Sequence, residues 1–455
     1  MRALIWASLA ALLAGPIAHA QQAGPTPGPG NAAPLAPLGD NAAPAQDWAV
    51  HGQSTFTWQG TPGFPAAYSG PNSLSSHPNA RETTDATLFL GLRLWQGAEI
   101  WANPELDQGF GLADTVGVAG FPSGEAYKTG ARDPYFRMQR LFVRQTVELG
   151  GERLAVDPDQ NVLGGSTSAN RIVITVGKFS VADIFDTNQY AHDPRSDFLN
   201  WSVIDAGSWD YAADAWGYTY GAAVEWYQDW WTIRAGLFDL STVSNSQNLD
   251  PVFIHQSQAN IELEERHTIF GAPGKLKLLF FLSRGELGTY MDALAQAHGG
   301  IPNVNAVASY RSKTGLSLNL EQKINDVVGV FARAGMSQGS VQAYDFTDIV
   351  NTLSGGARID GAAWGRTADE IGLAFAVNGT SRQAKQYFNA GGLGVLVGDG
   401  ALPRAGTEQI MESYYNYTIA EGIVASPDYQ FINHPAYAIG RGPVSVFGLR
   451  LHAQF

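Results

Sequence analysis

Ten charged residues share one phase of a two-residue alternation along the chain: Arg93, Arg140, Arg144, Arg234, Arg333 and Arg450, with Glu148, Glu225, Glu321 and Glu370. A guanidinium presents paired donors that match vicinal hydroxyls or a carboxylate. Rings of charged side chains set the selectivity of aqueous pores. Any one of these arginines is explained as well by pairing with a carboxylate on a hydrated wall. As a set they point to a water-filled channel, and the chemistry they offer is selection rather than bond-making.

A second group is denser. The stretches YAHDPRSDFLNW (190–201) and SWDYAADAWGYTYG (208–221) bring Arg195, Trp201, Trp209 and Asp210 into one connection between strands. Aromatic faces beside carboxylate and guanidinium groups suit a sugar ring, whose C–H faces stack while its hydroxyls are hydrogen-bonded. The same residues would equally lock a loop folded inside a pore, which must satisfy its own backbone. Both readings stay open at this point.

Catalytic and cofactor motifs are weak. No G-x-S-x-G elbow occurs, and His192 and Asp193 are chain neighbours that face apart in extended backbone, so neither a triad nor a metal site follows. GGLGVLVGDG (391–400) imitates a dinucleotide loop, but Val397 takes the third glycine position and no βαβ context surrounds it. Asn378-Gly-Thr380 reads as a chance sequon. Cysteine is absent, which removes disulfides and thiolate chemistry. A net charge of −14 argues against a nucleic-acid partner. No cofactor, no metal and no catalytic residue is expected.

The elements that would position these charges are strands. In the final stretch, 442–455, Phe447, Leu449, Leu451, Ala453 and Phe455 alternate with Gly448, Arg450, His452 and Gln454. A period of two sends successive side chains to opposite faces. The same alternation recurs at 86–95, 140–149, 171–177, 216–226, 231–237, 316–321, 328–334 and 370–377, and more weakly at 47–58, 258–266, 274–284, 408–420 and 424–432. About fourteen strands can be marked, and a single-chain bacterial barrel should have an even number. Each is about ten residues long, which suits a tilted strand crossing a bilayer. The stretches 103–135, 180–215, 286–312 and 339–362 are too long for hairpin turns and read as loops, with a short helix expected at 286–297.

Composition agrees. Charged residues are only 15 %, against a usual quarter or so. Glycine numbers 52, and aromatics make up 11 %, as turns and interfacial girdles require. Met1-Arg2, an apolar run and Ala18-His19-Ala20 read as a secretory leader over 1–20. Beyond it no apolar run is long enough for a spanning helix, so a membrane setting demands a closed barrel. Residues 21–45 are Pro/Ala/Gly-rich and nearly uncharged, a tether that cannot fold on its own. From 46 to 455 the composition is uniform, a single barrel domain.

The chain resembles the carbohydrate-selective porins of the OprB family. The matching stretches include NPELDQGFGLADTVGVAGFPSGEAYK (103–128), VGKFSVADIFDTNQYAHDPRSDFLNW (176–201), DYAADAWGYTYGAAVE (210–225) and RGPVSVFGLRLHAQF (441–455). The resemblance implies an all-β transmembrane antiparallel barrel of about 16 strands. It further implies the outer membrane of a Gram-negative bacterium, long extracellular loops folded into the lumen, and passive diffusion of glucose and other monosaccharides. It places Glu105 and the 190–209 loop near a constriction. Strand phase adds Arg93, Arg140 and Arg144 to that wall and turns Lys178 away from it. The expected partners are small sugars and outer-membrane lipid, with the barrel a monomer or a homotrimer. The alternatives are a porin for small anions or organic acids, an outer-membrane barrel hydrolase, and a secreted soluble sandwich.

Overall fold

The computed structural model describes residues 45–346 and 348–455. The expected leader and all but the end of the Pro/Ala-rich segment lie outside the described residues. Sixteen strands follow: β1 (Trp48–Thr61), β2 (Asn79–Trp95), β3 (Ala98–Gly109), β4 (Ala131–Val156), β5 (Gly165–Phe179), β6 (Thr219–Tyr227), β7 (Trp231–Asp239) and β8 (Ser257–Ile269). The second half comprises β9 (Ala272–Leu287), β10 (Ser309–Lys323), β11 (Val328–Ser337), β12 (Asn351–Asp360), β13 (Glu370–Gly379), β14 (Glu408–Ala420), β15 (Ile423–Asn433) and β16 (Val444–Gln454). Every strand pairs antiparallel with its chain neighbours, and β1 pairs with β16, so the sheet closes into a barrel. Closure satisfies every edge, which is what hydrocarbon demands of backbone N–H and C=O groups.

The alternation of the sequence becomes two faces. Leu88, Leu90 and Leu92 of β2 point outward and exposed, while Phe89 between them is buried. In β16, Phe447, Leu449 and Leu451 are exposed, while Arg450 and His452 face in. In water such a coat would aggregate; in a bilayer it meets lipid. Exposed Trp48, Trp95, Trp226 and Trp230 mark one rim, and Phe136, Tyr220 and Tyr310 mark the other, as interfacial belts should. The rims differ. One carries the short connections 96–97, 228–230, 270–271, 324–327 and 421–422, with 157–164 and 361–369; the other carries 62–78, 110–130, 180–218, 240–256, 288–308, 338–350, 380–407 and 434–443.

Two strands missing from the sequence reading account for the difference between fourteen and sixteen. β3 begins ahead of the expected 103–135 loop and runs into it as far as Gly109, and β12 lies in the expected 339–362 loop. Inward Trp101 and outward Pro104 hide the alternation of β3. The outward phase of β12 is Leu353, Gly355, Ala357 and Ile359, half of it too small to register as apolar. A third difference matters for the site. The strand expected from 216 begins at Thr219, and Tyr218 turns inward to the Arg140 guanidinium instead of outward to lipid. The helix expected within 286–297 is present at Tyr290–Gln296, capped by Thr289, whose hydroxyl accepts the Asp292 N–H.

Candidate functional site

The connection 180–218 lies inside the barrel, and the inward charges of the wall hold it there. A loop at membrane depth has backbone groups that water cannot reach freely, so protein must pair them. Arg333 of β11 donates to the carbonyls of Val203 (2.7 Å), Ala191 (2.8 Å) and Asp186 (3.1 Å). Arg450 of β16 donates to those of Pro194 (2.7 Å), Asp197 (2.7 Å) and Ser196 (3.0 Å). Carboxylates do the converse: Glu412 accepts the N–H groups of Leu199 and Asn200, Glu321 that of Gln189, and Glu262 that of Asp186. Glu408 accepts the N–H groups of Ala119 and Gly120, pinning the 110–130 connection beside it. These two wall arginines therefore meet carbonyls and these four wall carboxylates meet amides. Much of the lumen expected to hold water holds protein.

Aromatic packing completes this inner mass. Trp201 lies between Phe121 (centroids 5.2 Å apart, 14° between planes) and Phe346 (4.7 Å, 9°). Trp209 packs on Tyr211 at 4.9 Å, and Tyr211 on Phe346 at 4.2 Å. Phe121 and Phe346 cover both faces of Trp201, and Trp209 packs on Tyr211, so the sugar-stacking role expected of these rings gives way to loop packing. Asp210 is likewise an anchor. It pairs with Lys313 at 2.8 Å and accepts the N–H groups of Tyr344 and Asp345, drawing in the 338–350 connection. Burial would raise its pKa, but Lys313 and those amides outweigh it and lower the value.

Three expected constriction arginines also have other occupations. Arg93 donates twice to the carbonyl of Gln46, at 2.9 and 2.7 Å, at the short-turn rim. Arg144 pairs with Glu99 at 2.9 Å and donates to the Asn161 carbonyl at 2.8 Å, holding the 157–164 connection under the barrel mouth. Arg140 forks onto Asp183 at 2.7 and 2.6 Å and reaches Tyr218 Oη at 3.5 Å. Lys178 shares the strand phase of exposed Val176 but is itself buried, with Nζ 3.4 Å from Asp214 of the inner connection and donating to the Met138 carbonyl at 3.3 Å.

Arg195 and Glu105 do come together. The three guanidinium nitrogens of Arg195 each face a different carboxylate: Nη1 to Glu125 at 3.4 Å, Nε to Asp85 at 3.6 Å and Nη2 to Glu105 at 3.8 Å. These are ion-pair separations, longer than tight hydrogen bonds. Glu105 accepts from Thr87 Oγ1 at 2.5 Å and from Gln139 Nε2 at 3.3 Å, and Gln139 also reaches Asp107. Both amide atoms of Asn103, next along the inward face of β3, and Oε1 of Gln139 lack hydrogen-bond partners among the described residues. Burial works against the Arg195 charge, but Glu125, Asp85 and Glu105 prevail and raise its pKa well above the ordinary guanidinium value. Burial raises the pKa of Glu125, opposed by Arg195.

Asp85, Asn103, Asp107, Glu125 and Gln139 were not singled out from sequence. Asn103, Glu105 and Asp107 stand two apart and would have shown a common face had β3 been read as a strand. Asp85 continues the inward phase of Thr83 and Thr87. Glu125 arrives on a loop, and nothing in its local pattern announces where that loop goes.

A closed antiparallel barrel of sixteen strands, apolar outside and polar inside with its long loops folded inward, is a porin. The family model of the carbohydrate-selective porins, OprB family, matches residues 72–455, and the chain belongs to that family. Its fold is similar to that of Pseudomonas putida OprB in a structure solved at high pH, with a TM-score of 0.68 at 15 % identity over 90 % of this chain and 94 % of that one. It is also similar to the outer membrane channel DcaP of Acinetobacter baumannii, with a TM-score of 0.50 at 11 % identity over 92 % and 100 % of the two chains. No individually curated protein matches the chain. Its setting is the outer membrane of a Gram-negative bacterium, and its activity is passage of carbohydrate.

Proposed function

We propose that the barrel passes glucose and other monosaccharides by passive diffusion, selected where Arg195 stands among Asp85, Glu105 and Glu125. The observation that carries this reading is the loose spacing of that cluster, with each Arg195 nitrogen 3.4–3.8 Å from its carboxylate. Donors and acceptors held apart at this distance can exchange partners with hydroxyl groups, so a sugar recovers in the pore part of the hydration it sheds. Asn103 and Gln139 add uncharged partners on the same wall. The solute is neutral, so the mixed charge of the cluster neither repels nor traps it. A leader at 1–20 is removed on export, and no covalent chemistry accompanies transport.

The cluster disfavours the anion alternative. Four carboxylates, Asp85, Glu105, Asp107 and Glu125, stand around or beside a single arginine, while the other inward arginines are engaged by carbonyls and carboxylates. Liposome swelling with a panel of mono- and disaccharides tests the proposal. Arg195→Gln and Glu105→Gln should each lower glucose flux several-fold and change the ranking of sugars by size. Arg93→Ala should leave flux as it is. Equal flux in all four proteins, or no glucose flux in the unaltered one, defeats the reading.

A further inference from the structure

Away from the constriction, between the 240–256, 288–308, 338–350 and 380–407 connections, lies a polar cavity of about 170 Å³. Its lining includes Asn245, Tyr290, Asn305, Gln342, Asp348 and Gly394. We infer that this cavity is a capture site for one neutral monosaccharide on the long-loop face, distinct from the Arg195 constriction. The inference rests on the reading of the chain as a sugar porin and adds to it a second place where solute is held.

The chemistry of the lining favours a polyol. One carboxylate and three side-chain amides supply several acceptors and donors and a single charge, with little apolar surface between them. Small-molecule sites use a few fixed polar groups to orient their ligand, and carboxylate with amide is the combination that reads adjacent hydroxyls. The space holds one pyranose ring. An acyl chain would find too little apolar wall, and an anion would meet Asp348.

The site is built in advance. Gln342 Nε2 donates to Asn305 Oδ1 at 2.8 Å, and Gln342 Oε1 accepts the Gly288 N–H at 2.7 Å, so both amides are oriented. Tyr290 packs on Tyr387 at 5.1 Å and on Phe388 at 6.1 Å. Asp348 accepts the Leu396 N–H at 3.3 Å, and its backbone carbonyl accepts from Tyr437 Oη at 3.0 Å. Tyr290, Gln342 and Asp348 are all more than nine-tenths buried. Asn245 is held by its N–H to the Tyr344 carbonyl at 2.7 Å, while its Oδ1 lacks a partner among the described residues. A Cβ on Gly394 would overlap the Asp348 carboxylate, so the position is open only because no side chain fills it.

Single-channel recording with glucose on one side of the membrane at a time tests the site. Asn305→Ala removes an exposed amide, and Gly394→Ala fills the cradle. Each should lower the rate of glucose-induced closures from the long-loop side about five- to tenfold, the loss of one or two net hydrogen bonds. The rate from the other side and the conductance in sugar-free salt should stay unchanged. Variant rates equal to those of the unaltered channel, or an equal fall from both sides, overturn the site. Should the unaltered channel show no glucose-induced closures, liposome swelling decides the transport proposal on its own, and side-chain amide NMR of the full-length protein still reads the cavity. Glucose-dependent shifts of the Asn305 amide then uphold capture, and their absence overturns it.

Discussion

Arg333 is 1 % exposed and bonds three backbone carbonyls, whereas Arg195 stands at 3.4–3.8 Å from three carboxylates. The first is a mooring, and the second is the contact we propose for solute. Arg333→Met would remove the cation 3.1 Å from the buried Asp186 carboxylate and the donors of the Val203 and Ala191 carbonyls, at a cost of about 3–5 kcal/mol. The expected result is a lower heat-modification temperature on gels, with larger and noisier conductance as the inner loop loosens. Arg195→Gln should leave the fold intact and raise the permeability of potassium over chloride, read as a shifted reversal potential in a salt gradient. A variant of Arg195 that unfolds, with Arg333 tolerant of replacement, would reverse these roles. Sequence alternation told that Arg333 faces inward. What it would meet depended on a loop more than a hundred residues away, and no local pattern carries that.

At the scale of the element, the 157–164 connection is the short-turn counterpart of the inner loop. It folds under the barrel mouth, where Gln160 Nε2 donates to Gln53 Oε1 at 2.9 Å and Arg144 holds the Asn161 carbonyl. Gln46 clasps Gly164 from the other side, N–H to carbonyl at 3.0 Å and side-chain oxygen to N–H at 2.8 Å. Burial pushes Asp159 up to about 6 from an ordinary 3.8. A carboxyl with a raised value binds its proton more tightly docked than released, so docking gains as pH falls from about 6 toward 3.8, and the gain is absent above about 6. Hydrogen exchange at 157–164 should be slower at pH 5 than at pH 7.5 after correction for intrinsic rates, and Asp159→Asn should abolish the difference. β3 and β12 show what sequence pattern misses at this scale. A strand is legible when its outward side chains are large and apolar, and glycine, alanine and proline on that face erase the contrast.

Over the whole molecule the pattern was legible because lipid and lumen impose opposite demands on alternate residues for hundreds of positions. Leu316, midway along β10, lies on the lipid face, and Glu321 of the same strand faces in. Leu316→Arg should cost about 2–4 kcal/mol in denaturant unfolding from phospholipid vesicles, as expected near the bilayer midplane. A smaller loss than for an arginine placed at a girdle position such as Tyr310 would contradict the orientation. The proposed constriction was less legible than the wall. Glu105 and Arg195 could be named, but the pairing of a strand carboxylate with a loop guanidinium exists only once the barrel has folded its loops inside.

The seam between β1 and β16 has a consequence for assembly. Gly52 exchanges two backbone hydrogen bonds with Phe455, and the Phe455 ring occupies the space a Cβ on Gly52 would need. The two partners stand at opposite ends of the described chain, so a growing ribbon of strands keeps both raw margins until its last member is laid down. Such margins recruit strangers as readily as kin. Nicking the 421–422 turn should spare the finished ring, whereas a chain lacking β16 should be captured by its neighbours before it ever becomes a tube.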